Sequence, residues 1–396
     1  MNQLVGNTAI NFVFAGDLMV GGEFISYAEK RKLSHLYPFE RIEPHISGAD
    51  IFFLNLEGPI FQGSDRRPDV TTILSNNAHV IDLLTRQGIC VLSLSNNHIM
   101  DYGVEGLNHT TALLKKSNLY YVGAGRNREE AGRELIIEHK GRRIAFLAFT
   151  TNESHVNAII ADSQTAGCDS FLDRDRIAQK IRILSENVDI ICVSLHWGHE
   201  FFLYPSWEQI NMARSLVDAG AKYVIGHHPH VAQGIEEYKG SIIMYSLGNL
   251  FFPPVKSIYG RPEATKRISR ECMLVKSKLW EGKNLTFEIA GGSWGKDYRI
   301  VPFEGDHHRI FCSRIYAQSK ALHSKTYGQF WLNYKERRER ELKKEALLEA
   351  LRKALMMPLS DLAKSITLSD VTRNMTRLYE LFCRSKDRKS KGLIAH

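Results

Sequence analysis

Asn11-Phe12-Val13-Phe14-Ala15-Gly16-Asp17 sets a run of aromatic and apolar residues directly against a glycine and a carboxylate. A stretch of that composition and length predicts a buried β-strand, and the Gly-Asp pair predicts where it ends. The same phrasing recurs down the chain. Strand-forming runs lie at Ile51 to Leu54, Ile89 to Leu94, Ile144 to Phe149, Ile190 to Leu195 and Tyr223 to Ile225. Amphipathic stretches of helical spacing lie between several of them, at Asn77 to Arg86, Val104 to Lys116, Asp173 to Glu186 and Trp207 to Ala219. Strand followed by helix, repeated, predicts an α/β fold with covered sheets.

Beyond Val231 the pattern turns to hairpins. Gly234 to Tyr238, the turn at Lys239-Gly240 and Ser241 to Ser246 form one, and further strands are expected at Cys272 to Leu279, Leu285 to Ile289 and Arg299 to Phe303. Pro253 to Thr265 reads as a surface loop. After Phe303 the strands stop, and a charged helical stretch runs from Tyr334 to Met357, with Leu347, Leu348, Leu351 and Leu355 at helical spacing before Pro358. Two regions are therefore expected: an α/β domain over residues 1–305 and a basic helical extension over 306–396.

The chain has 396 residues, 43% hydrophobic and 24% charged, with 19 Phe and 15 Tyr. That supply of apolar side chains excludes a disordered, collagen-like or disulfide-stapled protein. The net charge of +8 is unevenly placed: residues 306–396 hold 20 Lys and Arg against 10 Asp and Glu, and the remainder is near neutral. Basic residues interleave with acidic ones in Lys335 to Lys353, a solvated helix rather than a phosphate-tracking groove, so nucleic acid is not the expected partner. Six cysteines lie scattered without a C-x-x-C pair, which suits a reducing compartment. Met1 to Ile10 lacks the basic and apolar segments of a signal peptide, and no apolar run reaches the roughly 18 residues of a membrane span. A cytoplasmic protein is the expectation.

The chemistry sits at the strand ends. The first strand ends in Gly16-Asp17, the second in Asn55-Leu56-Glu57-Gly58, the third in Ser95-Asn96-Asn97-His98. Two later strands end in His196-Trp197-Gly198-His199-Glu200 and Gly226-His227-His228-Pro229-His230. Ligands in open α/β sheets bind at that carboxyl edge, so residues far apart in sequence can converge there. Asp17 and Glu57 supply carboxylates, Asn97 an amide oxygen, and His196, His228 and His230 imidazoles. Mixed oxygen and nitrogen donors without thiolate suit Mn²⁺, Fe or Zn²⁺. Six such groups suffice for one ion, or for two sharing a carboxylate. Pro229 fixes one backbone angle between two of the imidazoles.

Taken with Asp101-Tyr102-Gly103 and Tyr245-Ser246-Leu247-Gly248-Asn249, these motifs resemble the bacterial poly-γ-glutamate capsule biosynthesis family, CapA/PgsA, over roughly residues 10–255. That family is similar in fold to the calcineurin-like metallophosphoesterases, a four-layer αββα sandwich. The resemblance implies Asp17 and His230 on one metal, Glu57 bridging, and Asn97, His196 and His228 on the other. It implies His98 as proton donor, with Asp101 orienting it. Glu200 and Asn249 are expected behind the ligands. Typical metallophosphoesterases carry Asp-x-His on the first strand, whereas Asp17-Leu18-Met19 stands here, so the first metal is expected to be one ligand short.

The resemblance implies a metal-dependent hydrolase, phosphoesterase-like, using metal-activated water on an anionic small molecule or polymer. The alternative is a polymer-binding or scaffold component on the same fold, with a nuclease a weaker third reading. Self-association through the C-terminal helices is compatible with each.

Overall fold

A computed structural model of the chain describes residues 9–64, 66–70, 72–153, 156–255, 267–280 and 284–356. It is a mixed α/β structure built on two large sheets. In the eight-stranded sheet, β1 (Ile10–Leu18), β2 (Ile51–Leu56), β3 (Ile89–Ser93) and β4 (Tyr120–Val122) run parallel. On the other side of β1 the antiparallel strands β14 (Glu271–Leu279), β15 (Leu285–Trp294) and β16 (Ile300–Pro302) continue the sheet, and β13 (Asn249–Phe251) pairs with the end of β1. The six-stranded sheet has the order β11 (Ile235–Tyr238), β12 (Ser241–Met244), β10 (Tyr223–His227), β9 (Ile190–His196), β7 (Arg142–Phe149) and β6 (Leu135–His139). Its four inner strands are parallel and its edges antiparallel. A small pair, β5 (Ala124–Gly125) with β8 (Gly167–Cys168), stands apart.

Alternation along the strands explains the packing. Phe12, Phe14, Ile51, Phe53 and Val91 join Phe146, Ile190, Cys192, Tyr223 and Ile225 in one buried cluster, so the two sheets share a core. The intervening residues Val13, Ala15, Phe52, Leu54 and Leu92 pack instead with Phe24 and Ala28 of α1 (Gly22–Arg31), Leu83 and Leu84 of α2 (Val80–Leu84), and Leu107 and Leu114 of α3 (Gly103–Lys116). Strands buried on both faces read as nearly continuous apolar runs, and this is why the sequence marks them so plainly. A short α4 (Arg128–Ala131) follows β5, while α5 (Arg174–Ser185) and α6 (Trp207–Ala219) pack together and against β9, β10 and β12. Ser206 and Gln209 close the start of α6 with a reciprocal capping box.

Two long helices end the described chain, α7 (Gly305–Leu322) and α8 (Tyr327–Met356). Phe311 and Ile315 of α7 belong to the core shared by the sheets; the first compact unit runs to Trp331, and a second begins at Leu332. In that second unit Arg338 pairs with Glu341 and Glu345. The leucines of the predicted stripe lie outside the described side chains. Among the described residues no helix is long and apolar enough to cross a membrane.

Four local differences from the sequence expectation stand out. The helix expected over Asn77 to Arg86 shortens to Val80–Leu84. Helix α1 was not expected. Strand β1 runs on past Ala15 to Leu18 because β13 and β2 pair with its last residues, so Asp17 lies within the strand. Of the Pro253 to Thr265 segment only 253–255 is described, and Pro253 and Val255 are buried.

Candidate metal centre

The register of β1 slips between Phe14 and Asp17 against β2, and again beside β13. Phe14 faces the core between the sheets and Ala15 the helices, yet Leu18 also faces the helices, so one residue has been gained. An extra residue of this kind re-aims a side chain at a site edge. Here it turns Asp17 toward β10. Gly16 permits it: a Cβ there would fall inside the carbonyl of Gly248, whose oxygen accepts from the Asp17 amide at 2.9 Å. Gly226 has the same relation to the carbonyl of Tyr245.

Asp17 is fully buried and heavily engaged. Its Oδ1 accepts from Asn55 Nδ2 at 2.9 Å and lies 3.2 Å from His227 Nδ1; its Oδ2 accepts from the His228 amide at 3.1 Å and lies 3.5 Å from His230 Nδ1. Burial pushes this carboxyl up, but His227, His230 and Asn55 together outweigh it and hold it below the ordinary range. Glu57 is its opposite. Both of its carboxylate oxygens are buried with no hydrogen-bond partner, and Oε1 lies 3.8 Å from His230 Nε2. Burial, with the charges of Asp17, Glu200 and Asp101 added, pushes Glu57 well above the usual value.

His228 and His230 both adopt positive φ, 92° and 56°, on either side of Pro229. Each such non-glycine conformation costs about 1–3 kcal/mol and persists where surrounding contacts over-determine it. Here the contacts are Asp17 on the His228 amide and Asn249 on the His230 ring. Asn249 Nδ2 donates to the Ser269 carbonyl at 2.8 Å, leaving its Oδ1 to accept from His230 Nδ1, also at 2.8 Å. This fixes the tautomer and leaves Nε2 bare toward Glu57, the arrangement expected of a metal-binding imidazole.

On the other side His196 Nε2 meets Asn97 Oδ1 at 2.8 Å, and the His196 and His228 rings lie 4.8 Å apart. Burial and the neighbouring imidazoles push His196 well below its ordinary value, which favours the neutral ring that coordination requires. Two sets of ligand atoms lie within 4.8 Å of one another: Asp17, Glu57 and His230, and Glu200, His228 and His230. His98 stands beside Asn97 with Nδ1 2.7 Å from Asp101 Oδ2, which also accepts from the Leu74 amide at 2.8 Å. Burial pulls His98 down, but the Asp101 charge and hydrogen bond outweigh it and leave it raised.

The chemistry of the donor set fits a metal cation. An unpartnered buried carboxylate costs several kcal/mol, and a cation among these donors removes that cost. Met19, by contrast, supplies no donor: it is fully buried in an apolar cluster with Leu74 and Val255, against which Phe252 packs. The six expected ligands therefore meet at one place, with His98, Asp101 and Asn249 beside them. Sequence reading gave no role to His227, Asn55 or Asn96. His227 falls in step with Tyr223 and Ile225 on β10, so period-two alternation aims it between the sheets toward Asp17. Asn96 donates to Asn55 Oδ1 at 3.1 Å and to the Leu56 carbonyl at 2.9 Å, tying two strand ends together.

The family model for bacterial capsule synthesis protein PGA_cap matches residues 11–254. The chain belongs to that family. It is similar to the capsule biosynthesis protein CapA of Bacillus anthracis, 32% identical over 62% of this chain and 60% of the relative. It is also similar to the PGA biosynthesis protein CapA of Bacillus subtilis, 34% identical over 60% of this chain and 62% of the relative. The chain thus spans about three fifths of the length of the curated relatives it matches. Among solved structures, the NAD nucleotidase of Haemophilus influenzae aligns at 12% identity and a TM-score of 0.36, covering 84% of this chain and 60% of that one. That likeness is too distant to bear on function.

Proposed function

We propose that this CapA-family chain is a metal-dependent hydrolase of phosphoester-like chemistry, serving the assembly of a poly-γ-glutamate or other capsule-type polymer. In this reading residues 1–305 form a four-layer αββα domain that carries the site, and residues 306–396 a basic helical extension able to hold an anionic polymer or a second copy. The observation that carries it is Glu57, a buried carboxylate without a hydrogen bond, set among imidazoles whose orientation is already fixed.

Asp17, Glu57, Asn97, His196, His228 and His230 would hold one or two ions of Mn, Fe or Zn. Such an ion supplies Lewis acidity to a phosphoryl oxygen and lowers the pKa of water. The chain does the rest. His98, raised by Asp101, carries a proton on the ring that faces the site and gives it to a leaving oxygen within hydrogen-bond reach. Asp101 is fully buried, so the imidazole it holds keeps one orientation.

The test is metal content by mass spectrometry on the full chain, beside a His228→Ala, His230→Ala double variant. One or two equivalents of transition metal in the parent and almost none in the variant are expected. A parent that takes up neither Mn²⁺ nor Zn²⁺ on incubation overturns the reading. Hydrolysis of a phosphoester panel should fall in Asn97→Ala and His98→Ala; indifference of every substrate to both would remove the hydrolase.

The apolar setting of Met19 favours a second reading, in which the fold binds an anionic polymer without cleaving it. Salt-sensitive binding of polyglutamate with no hydrolysis would select that alternative.

A further inference from the structure

Glu200 lies outside the ligand set implied by the family resemblance, yet its carboxylate stands within 4.8 Å of ligand atoms on both His228 and His230. Ligands about 2.1 Å from a cation can be at most about 4.2 Å apart, so this triad needs only a small closing movement. The charge of Glu200 reaches the interior of the site, adding to the upward push on both Glu57 and His98. His230, one of the two imidazoles that Glu200 approaches, also has the unpartnered Glu57 carboxylate beside it at 3.8 Å.

What aims Glu200 is the next residue and what covers it. Phe201 takes a left-handed φ of 62°, its amide donates to the Pro229 carbonyl at 2.8 Å, and its ring lies 6.1 Å from that of His230. The loop is thus tied to the His228-Pro229-His230 turn itself. Downstream, three elements hold the backbone. Gln233 Nε2 donates to the Phe202 carbonyl at 2.7 Å, Gln318 Nε2 of α7 to the Leu203 carbonyl at 3.2 Å, and the Tyr327 hydroxyl of α8 to the Pro205 carbonyl at 2.8 Å. The Trp331 ring packs on His199 and Phe202 at 6.3 and 5.7 Å, and Phe330 meets Tyr204 edge-on at 4.9 Å. Gln318, Tyr327 and Trp331 are all buried. They belong to the first compact unit, though they follow the family-matched residues by more than sixty positions.

We propose that Glu200 is a further ligand of the cation at His228 and His230, and that residues 305–331 are positioning elements that hold its loop. The proposal rests on the hydrolase reading's metal site but not on hydrolysis. It gives the start of the C-terminal helices a task at the site.

Calorimetric titration of the metal-stripped full chain with Mn²⁺ tests it, with thermal unfolding of each stripped variant as the check on folding. Glu200 is exposed, so Glu200→Gln should leave the stripped fold intact while weakening Mn²⁺ at least about tenfold. Trp331→Ala should weaken Mn²⁺ less, and in the Glu200→Gln background it should weaken it no further, because its effect passes through that carboxylate. A merely structural Trp331 would lower the unfolding temperature and act equally in both backgrounds, overturning the positioning role. Mn²⁺ affinity unchanged in Glu200→Gln but lost in His228→Ala overturns the ligand role and leaves the hydrolase reading standing. A parent that binds no Mn²⁺ removes both.

Discussion

Asp17, on β1, and Glu57, just past the end of the neighbouring parallel strand β2, are both fully buried carboxylates, and the protein treats them in opposite ways. Asp17 is surrounded by an amide side chain, a backbone N–H and two imidazoles, and its carboxyl is held low. Glu57 accepts no hydrogen bond and has only His230 Nε2 near it, at 3.8 Å, and its carboxyl is pushed high. One anion is satisfied by the fold and the other is left for something outside it. In the proposed reading the demand for a cation centres on Glu57 and the His230 imidazole beside it, since Asp17 already has its partners. Asp17 would act chiefly by holding the His228 turn in its strained backbone, and an ion beside it, with Met19 in place of a donor, should be the weaker of two.

The harshest way to break this contrast is at Gly16. A methyl group there collides with backbone, not with a side chain that can swing aside. Gly16→Ala should therefore cost at least about 4 kcal/mol in urea unfolding, since displacing the Gly248 segment also displaces Asp17 and β13. A loss below 1 kcal/mol would mean that the β1 bulge does not depend on that close approach.

Glu57→Gln attacks the other carboxylate. In the metal-stripped protein it removes an unpaired buried acid, so stability at neutral pH should hold or rise. On adding Mn²⁺ to a hundredfold excess over its dissociation constant, the parent should gain about 2.7 kcal/mol and the variant almost nothing. A variant that gains as much as the parent would put the cation somewhere other than beside Glu57. Asn249→Ala acts one shell further out. It frees His230 Nδ1 and with it the choice of tautomer, and should weaken metal binding by about 10- to 100-fold, or 1.4–2.7 kcal/mol. If the two ends of the site differ in this way, the weaker of two calorimetric steps should suffer more, because His230 is the expected ligand whose ring lies 3.5 Å from the Asp17 carboxylate.

How much of this the sequence disclosed follows from what each feature depends on. The apolar runs of β1, β2, β9 and β10 were legible because both faces of each are buried, and α6 was legible to the residue because its capping box and Gly220 mark its ends. The side chains named as candidate donors come near one another because each lies at or shortly after a carboxyl strand end, which parallel topology brings to one edge. Asn249 and Glu200 were noticed, but their partners were not, since neither the Ser269 carbonyl behind Asn249 nor the Trp331 wall near Glu200 has a local signal. His227 was overlooked although alternation from Tyr223 was enough to place it. The turn of Asp17 toward β10 was beyond reach, because a one-residue slip leaves no mark in composition.

Asp101→Asn is the mildest change and sharpens the comparison by pH. Asp101 raises His98 above its ordinary value near 6.5 against the downward pull of burial. A raised folded-state value means the folded chain binds that proton more tightly than the unfolded one. The stability from the pair is therefore complete below about pH 6.5 and is lost as pH climbs through the folded value. Asparagine can still meet the ring but carries no charge, and a charge-assisted bond exceeds a neutral one by about 1 kcal/mol. In the metal-stripped protein the parent should exceed Asp101→Asn by about that amount at pH 6, and the gap should close toward pH 9. Carbon-resolved NMR of the imidazole should show His98 titrating lower in the variant. A gap that stayed constant across this range would assign Asp101 to holding the Leu74 backbone, and the proton that His98 is proposed to carry would need another support.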